Sequence, residues 1–261
     1  MDQKEIEGIY KWFHLFFDGY ESIDFFTLNH DLLLESLMAK IIDKSFSDGF
    51  SRNQKVLKSS GGEPLKLFQG EFPEPISILK LHGSIDIYRY VVAEQKGGIM
   101  TPTGEYLFFK TNDYYEKQRP ERYDPETEEK VQTFHWEIDP QFITGTRKKD
   151  ILNKPGIYKD LFNEFKKRIM ECQKLIVFGY SFGDEHVNEI IQLAFRKSRR
   201  LRKVINVNPS KELPFDKMNC IVCNLKNSTE LNGSLNISFV NQMKEFIKTI
   251  WFLLIKTFIR R

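Results

Sequence analysis

Short apolar runs that stop on small and polar residues recur along the chain, with helical periodicity between them. Residues 22–28 (SIDFFTL) read as a buried strand that ends at TLNHD, and residues 76–81 as a second that ends at KLHGS. Residues 175–178 read as a third, ending at GYSFGD, and residues 204–207 as a fourth, ending at Asn208. After the first run, Leu33, Leu34, Leu37, Met38, Ile41 and Ile42 fall on one helical face. Ile157, Leu161, Phe162, Phe165 and Ile169 mark another helix, and Val187, Ile190, Ile191, Ala194 and Phe195 a further one; residues 6–17 predict an aromatic-rich helix ahead of the first strand. Strands and helices alternating in this way predict an α/β fold, a Rossmann-like and mostly parallel sheet with helices on both faces. Residues 47–75 read as loop, and residues 88–144, with Pro102, Pro120, Pro125 and no sustained period, predict a small irregular inserted lobe. The expected layout is a main domain over residues 1–226, interrupted by that lobe, and then a linker and C-terminal amphipathic helix over residues 227–261.

Composition narrows the class. At 261 residues and 41% hydrophobic, the chain can bury a sizeable core. A net charge of only +3, with no long block of one sign, gives no reason to expect direct nucleic-acid binding. The one basic run, RKSRRLRK at residues 196–203, suits the solvated end of a helix, where cations complement the dipole. Cys172, Cys220 and Cys223 are too few for a disulfide framework, and a single C-x-x-C does not supply four zinc ligands, so the expected setting is reducing and cytoplasmic. No secretion leader is recognisable. The apolar stretch at residues 249–255 is bracketed by Lys248 and Lys256, well short of the roughly 18 to 20 residues of a transmembrane span.

In an open parallel sheet, ligands bind where strand carboxyl ends meet helix N-termini, so the chemistry is expected at the four turns. Gly179 to Gly183 (GYSFG) matches the nucleophile-elbow pattern between a strand and a helix. A serine hydrolase of that type needs its acid and histidine after the serine, yet the last histidine here is His186, on the helix that the turn begins. TLNHD is similar to the Asn-His-Asp turn of metallophosphoesterases, but five histidines with no H-x-H pair fall short of the ligands that two metal sites need. What remains is a polar crevice: Asn29 and Asp31, His82 beside Gly83, and the small-residue turn of Gly179, Ser181 and Gly183, with Asn208 at a further strand end. Small residues let backbone approach a ligand, and a helix N-terminus favours hydroxyl or phosphate, which suits a nucleotide. Asn29 and Asp31 are also good helix caps, His82 also suits a hydrogen-bonded strand end, and Gly179 and Ser181 also suit a plain turn.

The order and content of these motifs resemble the sirtuin-like family, in particular the bacterial sirtuin-like proteins that hydrolyse NAD in defence against phage. TLNHD resembles the family's Thr-x-Asn-x-Asp turn, LHGS its His-Gly, LIVFGYSFGDEHVNEII its Gly-x-Ser strand and following helix, and VINVNP its adenosine-contacting asparagine strand, over roughly residues 22–210. The resemblance implies Asn29, His82 and Asp31 as catalytic residues, and Thr27, Gly83, Gly179, Ser181 and Asn208 as contacts to NAD, which would be substrate rather than cofactor, with no metal. Asn29 would orient the attacking water or the ribose, Asp31 the nicotinamide carboxamide or a nearby water, and His82 would act as general base. Zinc-ribbon cysteines are absent, as in the defence branch, which argues against an acyl-lysine substrate. The family's Gly-Ala-Gly phosphate loop also has no counterpart: only Gly8 and Gly19 precede Asn29, and the chain is expected to be truncated at its N-terminus, without the usual first strand. Two readings follow, an NAD hydrolase releasing ADP-ribose and nicotinamide, and a non-catalytic nucleotide-binding remnant or interaction module. Expected partners are NAD and either further copies of the chain or a partner defence protein.

Overall fold

A computed structural model describes residues 17, 21–52, 55–113, 119–132, 139–143, 156–208 and 214–215, and the backbone of two further strands, 221–225 and 255–260. The helix expected at residues 6–17 and the linker expected at 226–236 lie outside the described residues, apart from Phe17. The chain divides into two compact units. The first gathers residues 1–47, 73–81 and 162–261, and the second residues 48–72 and 82–161.

The first unit is built on a six-stranded sheet. Strand β1 (Ser22–Thr27) pairs in parallel with β5 (Ile76–Lys80), and β11 (Lys174–Phe178) in parallel with β12 (Lys203–Val207), which pairs in turn with β13 (Ile221–Leu225). Between the two groups lies β14 (Ile255–Arg260), antiparallel to both β1 and β11. Residues 255–260, expected to continue a C-terminal helix, therefore form a strand. In a doubly wound dinucleotide fold the first strand lies at the sheet centre, between the second and the fourth. Here that central position belongs to β14, running the opposite way.

Buried runs explain the parallel strands, since both their faces are covered. Ile23, Phe25, Phe26, Ile78, Leu79, Leu175, Val177, Val204 and Ile205 are all buried. Successive side chains alternate between the faces. On one face, Phe26 packs against Phe165 of helix α2 (Ile157–Glu171) with ring centroids 4.7 Å apart. On the same face the Arg168 guanidinium pairs with Asp24 and donates to Ser77 Oγ (3.0 Å) and Glu164 Oε1 (2.6 Å). The opposite face carries Thr27 and Lys80 and is met by α1 (Leu33–Leu37), which widens into a π-turn over Met38–Ile42 and stops at Asp43, whose φ is +51°. Among the described residues no helix is long and apolar enough to cross a membrane.

The second unit corrects two expectations, the loop at residues 47–75 and the irregular lobe at 88–144. Both contain antiparallel sheet. A five-stranded sheet joins β2 (Phe50–Ser51), β4 (Lys66–Phe68), β6 (Gly83–Lys96), β7 (Ile99–Lys110) and β10 (Pro140–Phe142), and a three-stranded one joins β3 (Leu57–Lys58), β8 (Glu121–Tyr123) and β9 (Lys130–Gln132). Leu57, Leu65, Leu67, Tyr88, Tyr90, Val92 and Phe109 form its core. The β6–β7 ladder is irregular between Val91 and Ala93, and the buried Gln132 satisfies the backbone there: its Nε2 donates to Val91 O and its Oε1 accepts from Ala93 N, both at 2.9 Å.

Candidate functional site

Five of the six strands of the first unit point the same way. The turns after Thr27, Phe178 and Val207 consequently leave one edge of the sheet, and Leu81, whose N–H donates to Thr27 O (3.0 Å), ends β5 at that edge. Two strand spacings separate the ends of β1 and β11, a gap of about 10 Å.

On the β1 side, Thr27 is buried, and its Oγ1 accepts the Asn29 N–H at 3.0 Å. That bond bends the chain within two residues of the strand. Asp31 Oδ1 accepts the Leu33 N–H at 2.9 Å, so the capping role open to Asp31 is filled by one carboxylate oxygen, and the side chain is exposed. The half-buried Asn29 carboxamide makes no hydrogen bond with a described residue. Lys80, which the motif reading passed over, is the long-range tie to this turn: its ammonium donates to Asp31 O and lies 3.1 Å from a Glu35 carboxylate oxygen. The signal was present in the sequence as a lone lysine closing the apolar run ISIL.

On the β11 side, Gly179 has φ +54° and donates its N–H to Val207 O at 3.0 Å. Phe182 also has positive φ, +56°, unusual for a residue with a Cβ and a form of strain that concentrates at functional turns. Neighbours hold it there. Asn188 Nδ2 donates to Phe182 O at 2.7 Å, and the ring packs on Tyr180 and Phe215. The Tyr180 hydroxyl lies 3.0 Å from Asp184 O and 2.9 Å from Asn188 Oδ1, sharing its one proton between two acceptors. Burial, with the Asp184 charge adding to it, pushes that hydroxyl well above the ordinary phenol range, so it remains a donor. Asp184 caps helix α3 (Glu185–Lys197) by accepting the Val187 N–H at 3.2 Å. The scaffold leaves Gly179, Ser181 and Gly183 exposed, and the Ser181 hydroxyl is not engaged by any described residue. Asn208 is buried, and its Nδ2 donates to Tyr180 O at 2.8 Å. Its amide nitrogen shapes the turn after β11.

His82 and Gly83 belong to the second unit. His82 is buried, and its carbonyl accepts the Ile143 N–H at 2.7 Å. Gly83, paired with Phe142 in β10, has φ +82°, and a Cβ there would lie 2.2 Å from Gln141 O. The close backbone approach requires glycine whatever the ligand.

The first unit thus brings Thr27, Asn29, Asp31, Gly179, Ser181 and Asn208 to one sheet edge, with an amide and a hydroxyl unspent. Such an edge, with acceptors and donors on either side of a shallow gap, can hold a polar ligand through its hydroxyls. Among the described residues no group of three or more His, Cys, Asp or Glu is placed to hold a metal ion. No curated protein gives a significant match to the sequence. A family model described as SIR2-like domain matches residues 24–222, from the middle of β1 to β13, and SIR2-like domains use NAD. With that match covering most of its length, the chain belongs to the SIR2-like domain family.

Proposed function

We propose that the protein cleaves NAD to ADP-ribose and nicotinamide, and that it serves in bacterial defence against phage. The observation that carries the reading is the shared sheet edge: the Asn29 turn and the Gly179–Gly183 turn flank the sheet centre, where a doubly wound fold binds its dinucleotide, in a chain of the SIR2-like family.

Breaking the bond from ribose C1′ to the pyridinium nitrogen returns an electron pair to that nitrogen, so nicotinamide leaves neutral and no general acid is needed. The ribose passes through an oxocarbenium-like state, and water forms the new bond at C1′ as its proton moves to a base. In this reading the Asn29 carboxamide, not engaged by any described residue, orients the water or the ribose. Asp31 uses its remaining carboxylate oxygen for the nicotinamide amide, and the His82 imidazole takes the proton. Gly179, Ser181 and the α3 N-terminus serve the hydroxyls or phosphates. Thr27 acts through the Asn29 N–H, and Asn208 through the Tyr180 carbonyl.

Asn29→Ala and His82→Ala are each expected to abolish nicotinamide release from NAD, followed chromatographically, while far-UV circular dichroism and melting temperature stay near the parent's. Undiminished turnover in both variants would overturn these roles. The antiparallel β14 at the sheet centre favours a second reading, a nucleotide-binding module without catalysis, because a strand running the opposite way brings its start, and not a strand-to-helix turn, to that edge. Calorimetry separates the two: NAD or ADP-ribose bound by a chain that releases no nicotinamide selects the module.

A further inference from the structure

Lys80 closes β5 with the one charge in that strand, and its side chain is only 4% exposed. It does not reach solvent. It extends from the face that also carries its register partner Thr27, donates to the Asp31 carbonyl, and meets the Glu35 carboxylate at 3.1 Å. Burying an ammonium and a carboxylate is costly, and well-packed apolar side chains fill such space at least as stably. The pair is therefore weak as a stabilising device, and what it contributes is a fixed geometry. That geometry concerns the turn after β1. Two further bonds in the turn are local, spanning two residues each: Asn29 N–H to Thr27 Oγ1, and Leu33 N–H to Asp31 Oδ1. The bond from Lys80 reaches the turn from a neighbouring strand, and it enters at Asp31, two residues past Asn29.

We propose that Lys80 is a positioning residue: by holding the Asp31 carbonyl from β5, it fixes the turn that aims the Asn29 carboxamide at the ligand. Glu35 neutralises the ammonium, so the turn gains an anchor without a net positive charge beside a reaction that develops a cation. The proposal rests on the reading of Asn29 as an NAD-facing group.

The test compares Lys80→Met with the double variant Lys80→Met/Glu35→Leu, in the full chain. The single variant strands a partly buried carboxylate and is expected to melt earlier than the parent; the double removes both charges and is expected to melt near the parent. In the double variant the turn still lacks its anchor. Its kcat for nicotinamide release is expected to fall about ten- to a hundredfold with little change in KM, the scale of a slightly misplaced reacting group. Amide hydrogen exchange is expected to accelerate at residues 29–33 and not along β1 or β5. Glu35→Gln, which keeps the bond from Lys80 to Asp31, is expected to keep the parent's exchange there. A double variant with the parent's kcat, or with unaltered exchange at residues 29–33, overturns the proposal, as does accelerated exchange in Glu35→Gln. A parent chain that neither cleaves nor binds NAD would instead defeat the NAD reading, while the exchange comparison still decides whether Lys80 holds the turn.

Discussion

Arg168 shows how much a single side chain can carry in the first unit. It lies on the last turn of α2 and reaches Asp24 of β1 and Ser77 of β5, which are register partners. Because Asp24 is itself buried, Arg168→Ala leaves a carboxylate without its counter-charge, and the expected loss is about 3–5 kcal/mol of stability. Replacing both groups by apolar residues of similar volume, Asp24→Leu with Arg168→Met, is expected to recover most of it, which denaturant titration of the two variants would measure. The same scale separates the site residues by what already occupies them. Asp31, Asn208 and Gly83 each meet a structural demand, from the Leu33 N–H, the Tyr180 carbonyl and the Gln141 carbonyl respectively. Asn29 and Ser181 meet none among the described residues, and a sequence motif has no means of separating these two groups.

Elements whose two faces are both buried were the ones that periodicity revealed. Strands β1, β5, β11 and β12 read as mainly apolar runs because helices cover the sheet, and α2 and α3 each present one apolar stripe. The second unit hid itself for the opposite reason. Strand β7 faces solvent along most of its length and holds Pro102, which stands opposite Ala93 just where the ladder slips, a place where a missing N–H is tolerated. The strands that follow it along the chain, β8, β9 and β10, are three residues each, too short to establish a period of two. Gln132 is the side chain that makes the slip affordable within the sheet, since it replaces the ladder bonds of Val91 and Ala93. Gln132→Leu, similar in volume but without donors or acceptors, leaves that buried N–H and carbonyl unmatched. About 1–3 kcal/mol per stranded group is the expected cost, seen as a lower melting temperature of the second unit.

At the scale of the whole chain, the decisive element is the strand at residues 255–260, where a helix was expected. Apolar runs of this length fit a helix or a strand equally well, and only the vacancy between β1 and β11 selects the strand for residues 255–260. The two halves of the parallel sheet are joined through it: β1 meets β14 over Ser22 to Thr27, and β11 meets it over Lys174 to Val177. Truncation before Ile255 is expected to bare two strand edges at once, giving a chain that aggregates on expression and whose first unit no longer unfolds cooperatively in urea, read by light scattering and circular dichroism. A truncated chain that melts like the parent would mean that β1 and β11 close on each other. The arrangement also sets the order of events at the ribosome. Of the described strands of this sheet the innermost is translated last, so the half-sheets must wait, their inner margins uncovered, until residues 255–260 have been made, and a nascent chain stalled short of them is the form that chaperones would have to shelter.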